Sequence, residues 1–140
     1  IKAKQIKTDK QLFYINVHLD HHYEETRKEQ ISVLLSESKK INQERAPIIL
    51  SGDFNDPPQQ TVWTKITQQD SGPYDPWIHL NHPEESSHHR FTGSNPSGAR
   101  IDWIMVDQRV KTVSMELDKS CNSNGIYPSD HFPLKAVFKL

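Results

Sequence analysis

The chain carries a single cysteine, Cys121. That scarcity excludes an intramolecular disulfide and a cysteine-rich zinc centre, and it leaves the compartment, cytoplasmic or secreted, open. Charge of one sign is missing as well: 17 Lys plus Arg stand against 18 Asp plus Glu in 140 residues. Without a global basic field of the kind that drives sequence-independent nucleic-acid affinity, any phosphate recognition has to be local. No apolar run reaches the length of a membrane span and no charged-then-apolar leader opens the sequence, so a soluble chain is expected. Residue 1 is Ile rather than Met, and residues 1–10 read as a strand and turn entered in mid-fold, so the sequence is expected to be a piece of something longer. The length suits one domain that buries roughly two thirds of its unfolded surface.

What is present is organised around Pro47-Ile-Ile-Leu-Ser-Gly-Asp-Phe-Asn55. Ile48, Ile49 and Leu50 form a short apolar run closed by Gly52, as expected of a strand covered on both faces. Asp53 and Asn55 follow at its carboxyl end, where ligands collect in sheets faced by helices. A carboxylate and an amide two residues apart can address one water or one phosphoryl oxygen. The plainer alternative is an Asx turn that simply ends the strand.

Upstream, residues 11–19 alternate, with Phe13, Ile15, Val17 and Leu19 on one face and Tyr14, Asn16 and His18 on the other. His18 thus ends a half-buried strand, a position an ordinary rim histidine also occupies. Residues 24–41 carry Ile31, Leu34, Leu35 and Ile41 at helical spacing, with acid first and base last, which suits the helix dipole. Strand, helix and strand make a βαβ unit, with a right-handed crossover expected. A second helix is expected over residues 59–69, carrying Val62, Trp63 and Ile66 inward, and a long surface loop over 70–90. His79, His82, His88 and His89 in that loop lack a regular metal-binding spacing and read as solvated. Residues 100–107 read as a strand with Ile101, Trp103 and Met105 opposite Asp102, Ile104 and Val106. A carboxylate inside such a strand implies a partner for Asp102. Residues 110–117 read as a second strand forming a hairpin across Asp107-Gln108-Arg109, residues 122–125 as a turn, and Leu134, Ala136, Phe138 and Leu140 as the inward side of a closing strand.

His18, Asp53, Asn55, Asp102, Asp130 and His131 are all polar groups within or at the end of expected strands, and neighbouring strands would gather them on one rim. Two histidines with carboxylates in reach can form His–Asp pairs in which the acid fixes the tautomer and raises ring basicity. The remaining carboxylates are oxygen donors that suit Mg²⁺ or Mn²⁺ rather than zinc. A metal, an activated water and an imidazole donor are what hydrolysis of a phosphate ester needs.

Four segments, Asn16-Val-His18-Leu-Asp-His21, Gly52-Asp53-Phe54-Asn55, Arg100-Ile-Asp102-Trp and Ser129-Asp130-His131-Phe-Pro, resemble in order and context the endonuclease/exonuclease/phosphatase superfamily, of deoxyribonuclease-I-like fold. Arg27 and Phe91-Thr92-Gly93 are similar to its bacterial members. The resemblance runs over nearly the whole chain but covers only the C-terminal half of the family's domain. It implies an α/β fold, half of a four-layer sandwich with a mixed sheet and helices on the outer face, hydrolysing phosphoesters with Mg²⁺ or Mn²⁺. By position, Asp53 resembles the residue that activates or orients the attacking water, and Asn55 its partner at the phosphate. Asp102 resembles the acid that orients His131, Asp130 with Asp53 the carboxylates near the metal, and His18 the donor to the phosphate or the leaving oxygen. Asn16, Arg27 and Asn55 resemble substrate contacts. The absent N-terminal half supplies, in the family, an early Asn and the principal metal-binding Glu.

The implied partner is a phosphoester substrate, whether a small molecule, a lipid headgroup or a nucleic acid. The near-neutral charge favours a small or lipid-like phosphoester or sugar phosphate over long duplex DNA. Self-association or pairing with the missing half is expected as well. Three rival readings exist. Asn16-x-His18-x-Asp20-His21 approaches a metallo-β-lactamase signature but has Asn at the first ligand. Ser129, Asp130 and His131 are consecutive, so they point to different faces and cannot form a serine triad. A catalytically incomplete half-domain acting as a binding or structural fragment remains as the alternative to an enzyme.

Overall fold

The computed structural model describes residues 1–4, 9–69 and 72–139. The turn expected within residues 1–10, the first two residues of the expected 70–90 loop and Leu140 of the closing strand fall wholly or partly outside them.

Strands β1 (Lys2–Lys4), β2 (Gln11–His18), β3 (Ile48–Asp53) and β4 (Asp102–Val106) form a four-stranded sheet in that order. β2 and β3 are parallel, and the flanking pairs are antiparallel. The parallel pair is joined by helix α1 (Glu24–Ile41), the βαβ unit that the patterning predicts. α1 and α2 (Thr61–Thr67) cover one sheet face, where Ile31, Val62 and Ile66 pack on Leu50, Trp103 and Met105, with Phe54 stacked 4.4 Å from Trp103. Ile41, expected inward, is 67% exposed at the last position of α1.

At Gly52 a Cβ would meet the Val17 carbonyl oxygen at 1.9 Å, and φ is +140°. Only glycine admits that approach, and it lets β3 run on to Asp53.

The opposite sheet face meets a second, two-stranded sheet of β5 (Lys111–Leu117) and β6 (Leu134–Lys139). Ile104 packs with Leu134 and Ala136 around Trp77, Met115, Leu117 and Phe132, and Val106 and Val110 pack with Ile49 and Phe138. The expected β4–β5 hairpin does not form. Tyr74 occupies the free edge of β4, exchanging two backbone hydrogen bonds of 2.9 Å with Val106, and the fully buried Val110 carries the chain across to the other layer, where β5 pairs with β6.

The expected 70–90 loop contains a short helix α3 (Pro76–His79), started by Pro76 and capped by Asp75, whose Oδ1 accepts from the Trp77 amide at 3.0 Å. Asp75 and Arg100 are both buried. The Arg100 guanidinium donates to Asp75 Oδ2 at 2.7 Å and to Glu84 at 2.9 and 3.2 Å, and lies 5.2 Å from the Trp77 ring centre. This pair anchors the loop to the start of β4.

Candidate active site

Strand pairing puts His18, Asp53 and Asp102 in one row. His18 is the register partner of Asp53, and Asp53 of Asp102. Because β4 runs against β3, its first residue meets the last residues of β2 and β3 at the same end of the sheet. Alternation turns all three side chains to the face shared with Tyr14, Asn16, Ser51 and Ile104, toward the second sheet. Before β6 the chain returns to this rim and delivers His131, whose Nδ1 lies 2.8 Å from Asp102 Oδ2. That contact is the partner the part-buried carboxylate requires.

The arrangement is clamped from behind by Ser87, which is fully buried. Its Oγ accepts the Ile101 and Asp102 amides at 3.0 and 3.1 Å, and its carbonyl accepts the Phe132 amide at 2.8 Å. One side chain and its carbonyl thus tie the strand bearing Asp102 to the loop bearing His131. Asp130 is fixed by its carbonyl, which accepts the His89 and Arg90 amides at 2.7 and 3.2 Å.

Asp53 Oδ1 accepts the Asn55 amide at 2.9 Å, so the Asx turn also forms, and it aims the carboxylate instead of merely ending the strand. Asn55, at φ +49°, donates its side-chain amide to the Leu19 carbonyl at 2.9 Å, which leaves Oδ1 and one N–H to face a ligand. His18 Nε2 lies 3.6 Å from Asp53 Oδ2 with its side chain 74% exposed, an accessible ring held loosely. Asn16 Oδ1 accepts from Ser51 Oγ at 3.3 Å on the same face.

Arg27, expected at the substrate, is committed elsewhere. Its guanidinium, 11% exposed, donates to the Asp20 carbonyl at 3.1 Å and to Asp56 at 3.3 Å, while Asp56 also receives the Val62 amide at 3.1 Å. It braces the loop after Asn55 against α1 and α2, because a buried guanidinium must stay paired.

Electrostatics separates the roles. Burial, then the facing charge of Asp102, pushes the Asp53 carboxyl above its ordinary range against the pull of the Asn55 amide. Burial pulls the His131 imidazole down, but the hydrogen bond and charge of Asp102, with Asp53 and Asp130 behind it, carry it above its ordinary value. For Asp130, desolvation is outweighed by hydrogen bonding and by His131 and His88, which leave it lowered. A carboxylate with raised proton affinity beside an imidazole inclined to hold a proton is an acid–base pairing.

Asp53, Asp102 and His131 present one ligand atom each within 4.8 Å of one another. Two like charges facing across the β3–β4 ladder with only imidazole to offset them are a donor set that a hard divalent cation fits. Asp130 belongs to a second group, with His88 and His131. The two carboxylates assigned to the metal by the resemblance therefore lie in separate clusters that share His131.

The loop histidines correct the solvated reading. His88 Nε2 lies 3.5 Å from Asp130 Oδ2 and its ring 4.7 Å from that of His131. His89 is buried, stacked 3.9 Å from Phe132, and its Nδ1 accepts the Gly93 amide at 3.1 Å. His79 is exposed, as expected. No spacing in the sequence signals His88 and Ser87, because they enter the site through a loop bridge between His88 and His131.

Neither the protein-family models nor the curated proteins give a match to this chain. Solved structures do. The mannosyl-6-phosphatase of Bacteroides thetaiotaomicron superposes with a TM-score of 0.83 at 21% identity, over 98% of this chain and 54% of that one. An endonuclease/exonuclease/phosphatase protein from Bacteroides vulgatus gives 0.83 at 26%, over 99% and 53%. The catalytic domain of human Nocturnin, solved with a bound sulfate anion, gives 0.78 at 21%, over 99% and 50%. The fold is that of the endonuclease/exonuclease/phosphatase superfamily, matching half of its sandwich. The chain spans about half the length of the structures it resembles.

Proposed function

We propose that the chain is the C-terminal half of a divalent-metal-dependent phosphoesterase domain, with Asp53, Asn55, Asp102, His131 and His18 in the reaction. The observation that carries the reading is the Asp102–His131 contact of 2.8 Å beside Asp53, across paired strands. Asp53, raised in proton affinity by burial, takes the proton of the attacking water as that water approaches phosphorus. Asp102 holds the Nδ1–H of His131, so that Nε2 is directed toward a phosphoryl oxygen, and the hydrogen bond and charge of Asp102 favour the protonated ring that donates there. Asn55 Oδ1 and its free N–H orient water and phosphate, and the accessible His18 ring donates to the phosphate or the leaving oxygen. A Mg²⁺ or Mn²⁺ ion held by Asp53 and Asp102 would supply positive charge to the phosphoryl oxygens.

The near-neutral charge supports a small or lipid-like phosphoester or sugar phosphate over long duplex DNA, and the phosphatase among the structural neighbours fits that class. A panel of phosphomonoesters, phosphodiesters and plasmid, assayed with the domain completed by its other half, tests this. Salt-sensitive plasmid cleavage as the leading activity would overturn the substrate class. His131→Ala is expected to lower kcat by about two to four orders of magnitude with little change in folding, and retention of most activity would remove its role.

A second reading, a chain inactive by itself, draws on the half-length match and on the second sheet. Two strands alone are marginal, and Val113 and Val137 stand 46% and 56% exposed on β5–β6, apolar surface that a further layer would cover. On this reading the isolated chain binds Mn²⁺ weakly and pairs with itself or with the missing half. Micromolar Mn²⁺ affinity with full turnover, measured by calorimetry and assay of the 140-residue chain, would refute it.

A further inference from the structure

His88 takes no part in the steps above, yet it lies against His131, which does, and against Asp130. Its Nε2 is 3.5 Å from Asp130 Oδ2, and one ligand atom from each of His88, Asp130 and His131 lies within 4.8 Å of the others. Around a tetrahedral ion with bonds of about 2.0–2.2 Å to imidazole nitrogen and carboxylate oxygen, neighbouring ligand atoms stand about 3.4 Å apart. The His88–Asp130 separation already matches such an edge. Metal-bound imidazoles also donate their other ring N–H to a carboxylate, which fixes the tautomer and sharpens the lone pair. His131 has that support in place, since Asp102 Oδ2 lies 2.8 Å from Nδ1 and leaves Nε2 for the ion. The three side chains are 31%, 45% and 27% exposed, so an ion enters directly from solvent.

We propose that His88, Asp130 and His131 form a binding site for a borderline transition-metal ion, Zn²⁺ foremost, with a fourth position open to solvent. Two imidazoles and a carboxylate favour zinc or cobalt, whereas the oxygen donors of Asp53 and Asp102 suit magnesium. The site does not depend on the phosphoesterase reading. If that reading holds, Zn²⁺ here takes the His131 nitrogen that would face the phosphoryl group and inhibits the reaction.

Zn²⁺ is titrated calorimetrically into the 140-residue chain near neutral pH, with Co²⁺ absorption as a coordination readout. One equivalent should bind, Co²⁺ should give tetrahedral ligand-field bands, and His88→Ala and His88→Gln should each weaken Zn²⁺ by about tenfold or more and abolish the bands while melting like the parent. The surface pair His21 and His22, with ring centres 3.6 Å apart, is the competing zinc site, and the His21→Gln/His22→Gln variant should bind as the parent does. Unchanged affinity in both His88 variants, loss of binding in the His21/His22 variant, or no Zn²⁺ binding by the parent overturns the site. Zinc binding without hydrolysis of any phosphoester leaves the site standing and removes the enzyme reading alone.

Discussion

Replacing Arg100 by Ala should be among the most damaging single changes in the chain, though Arg100 touches none of the reacting groups. Its side chain is fully buried and that of Asp75 nearly so, at 0% and 1% exposed, and they are joined at 2.7 Å. Truncation removes this bond and both Glu84 bonds and leaves the Asp75 charge desolvated, held only by the Trp77 amide at 3.0 Å and Trp63 Nε1 at 3.4 Å. Breaking a buried pair from one side costs about 3–5 kcal/mol. The lower end is expected here, because Arg100 Nη1 has no hydrogen-bond partner among the described residues and part of the burial penalty is borne in the native state. About 3 kcal/mol is a large share of a stability of roughly 5–15 kcal/mol. Glu84, 47% exposed, should contribute about 1 kcal/mol or less. Urea unfolding followed by tryptophan fluorescence reads the loss as a lower midpoint at constant slope. The double variant Arg100→Met/Asp75→Leu should recover more than half of it, since neither charge is then left alone. A loss under about 1 kcal/mol for Arg100→Ala, or a double variant no better than the single, would refute the reasoning.

Asp102→Asn should lower the pH at which His131 titrates in an NMR series, because burial then acts on the ring without the hydrogen bond and charge that outweigh it. The parent imidazole has a folded pKa above its unfolded value. The stability it contributes is therefore complete below about pH 6.5, is lost as pH rises through the folded pKa, and should vanish in the variant; an unmoved midpoint would contradict this. Asp53→Asn should raise the melting temperature at neutral pH and abolish the proposed hydrolysis by the completed domain. A carboxyl raised by burial and by Asp102 costs stability once pH exceeds its folded pKa, and that cost disappears below the ordinary carboxyl range; lower stability at neutral pH would count against it. Gly52→Ala should cost more than about 2 kcal/mol in a thermal melt, since its Cβ would meet the Val17 carbonyl at 1.9 Å, and a neutral result would mean the strands can part there.

The sequence alone determined the elements whose patterning is local. Alternation over residues 11–19, the apolar run before Gly52 and the helical spacing after Glu24 report burial of each segment against its own neighbours, and the βαβ unit follows from their order. The same locality put His18 and Asp53 at strand ends and Asp102 inside an apolar strand, where an acid demanded a partner before His131 was seen to supply it. Tertiary structure alone decided which edges were free. Tyr74 takes the edge of β4 from 32 residues away, so the chain after Asp107 crosses to a second sheet instead of turning back as a hairpin. It also decided which polar residues were committed. Arg27 reads as a substrate contact until Asp56 is found holding it, and Arg100 reads as part of a motif until Asp75 and Glu84 are found beside it. His88 carries no periodic signal, because loop backbones brought together by Ser87 and Asp130 put it against His131. Periodicity records which face of a segment is buried, whereas pairing between distant loops depends on where the whole chain returns, and no local spacing encodes that.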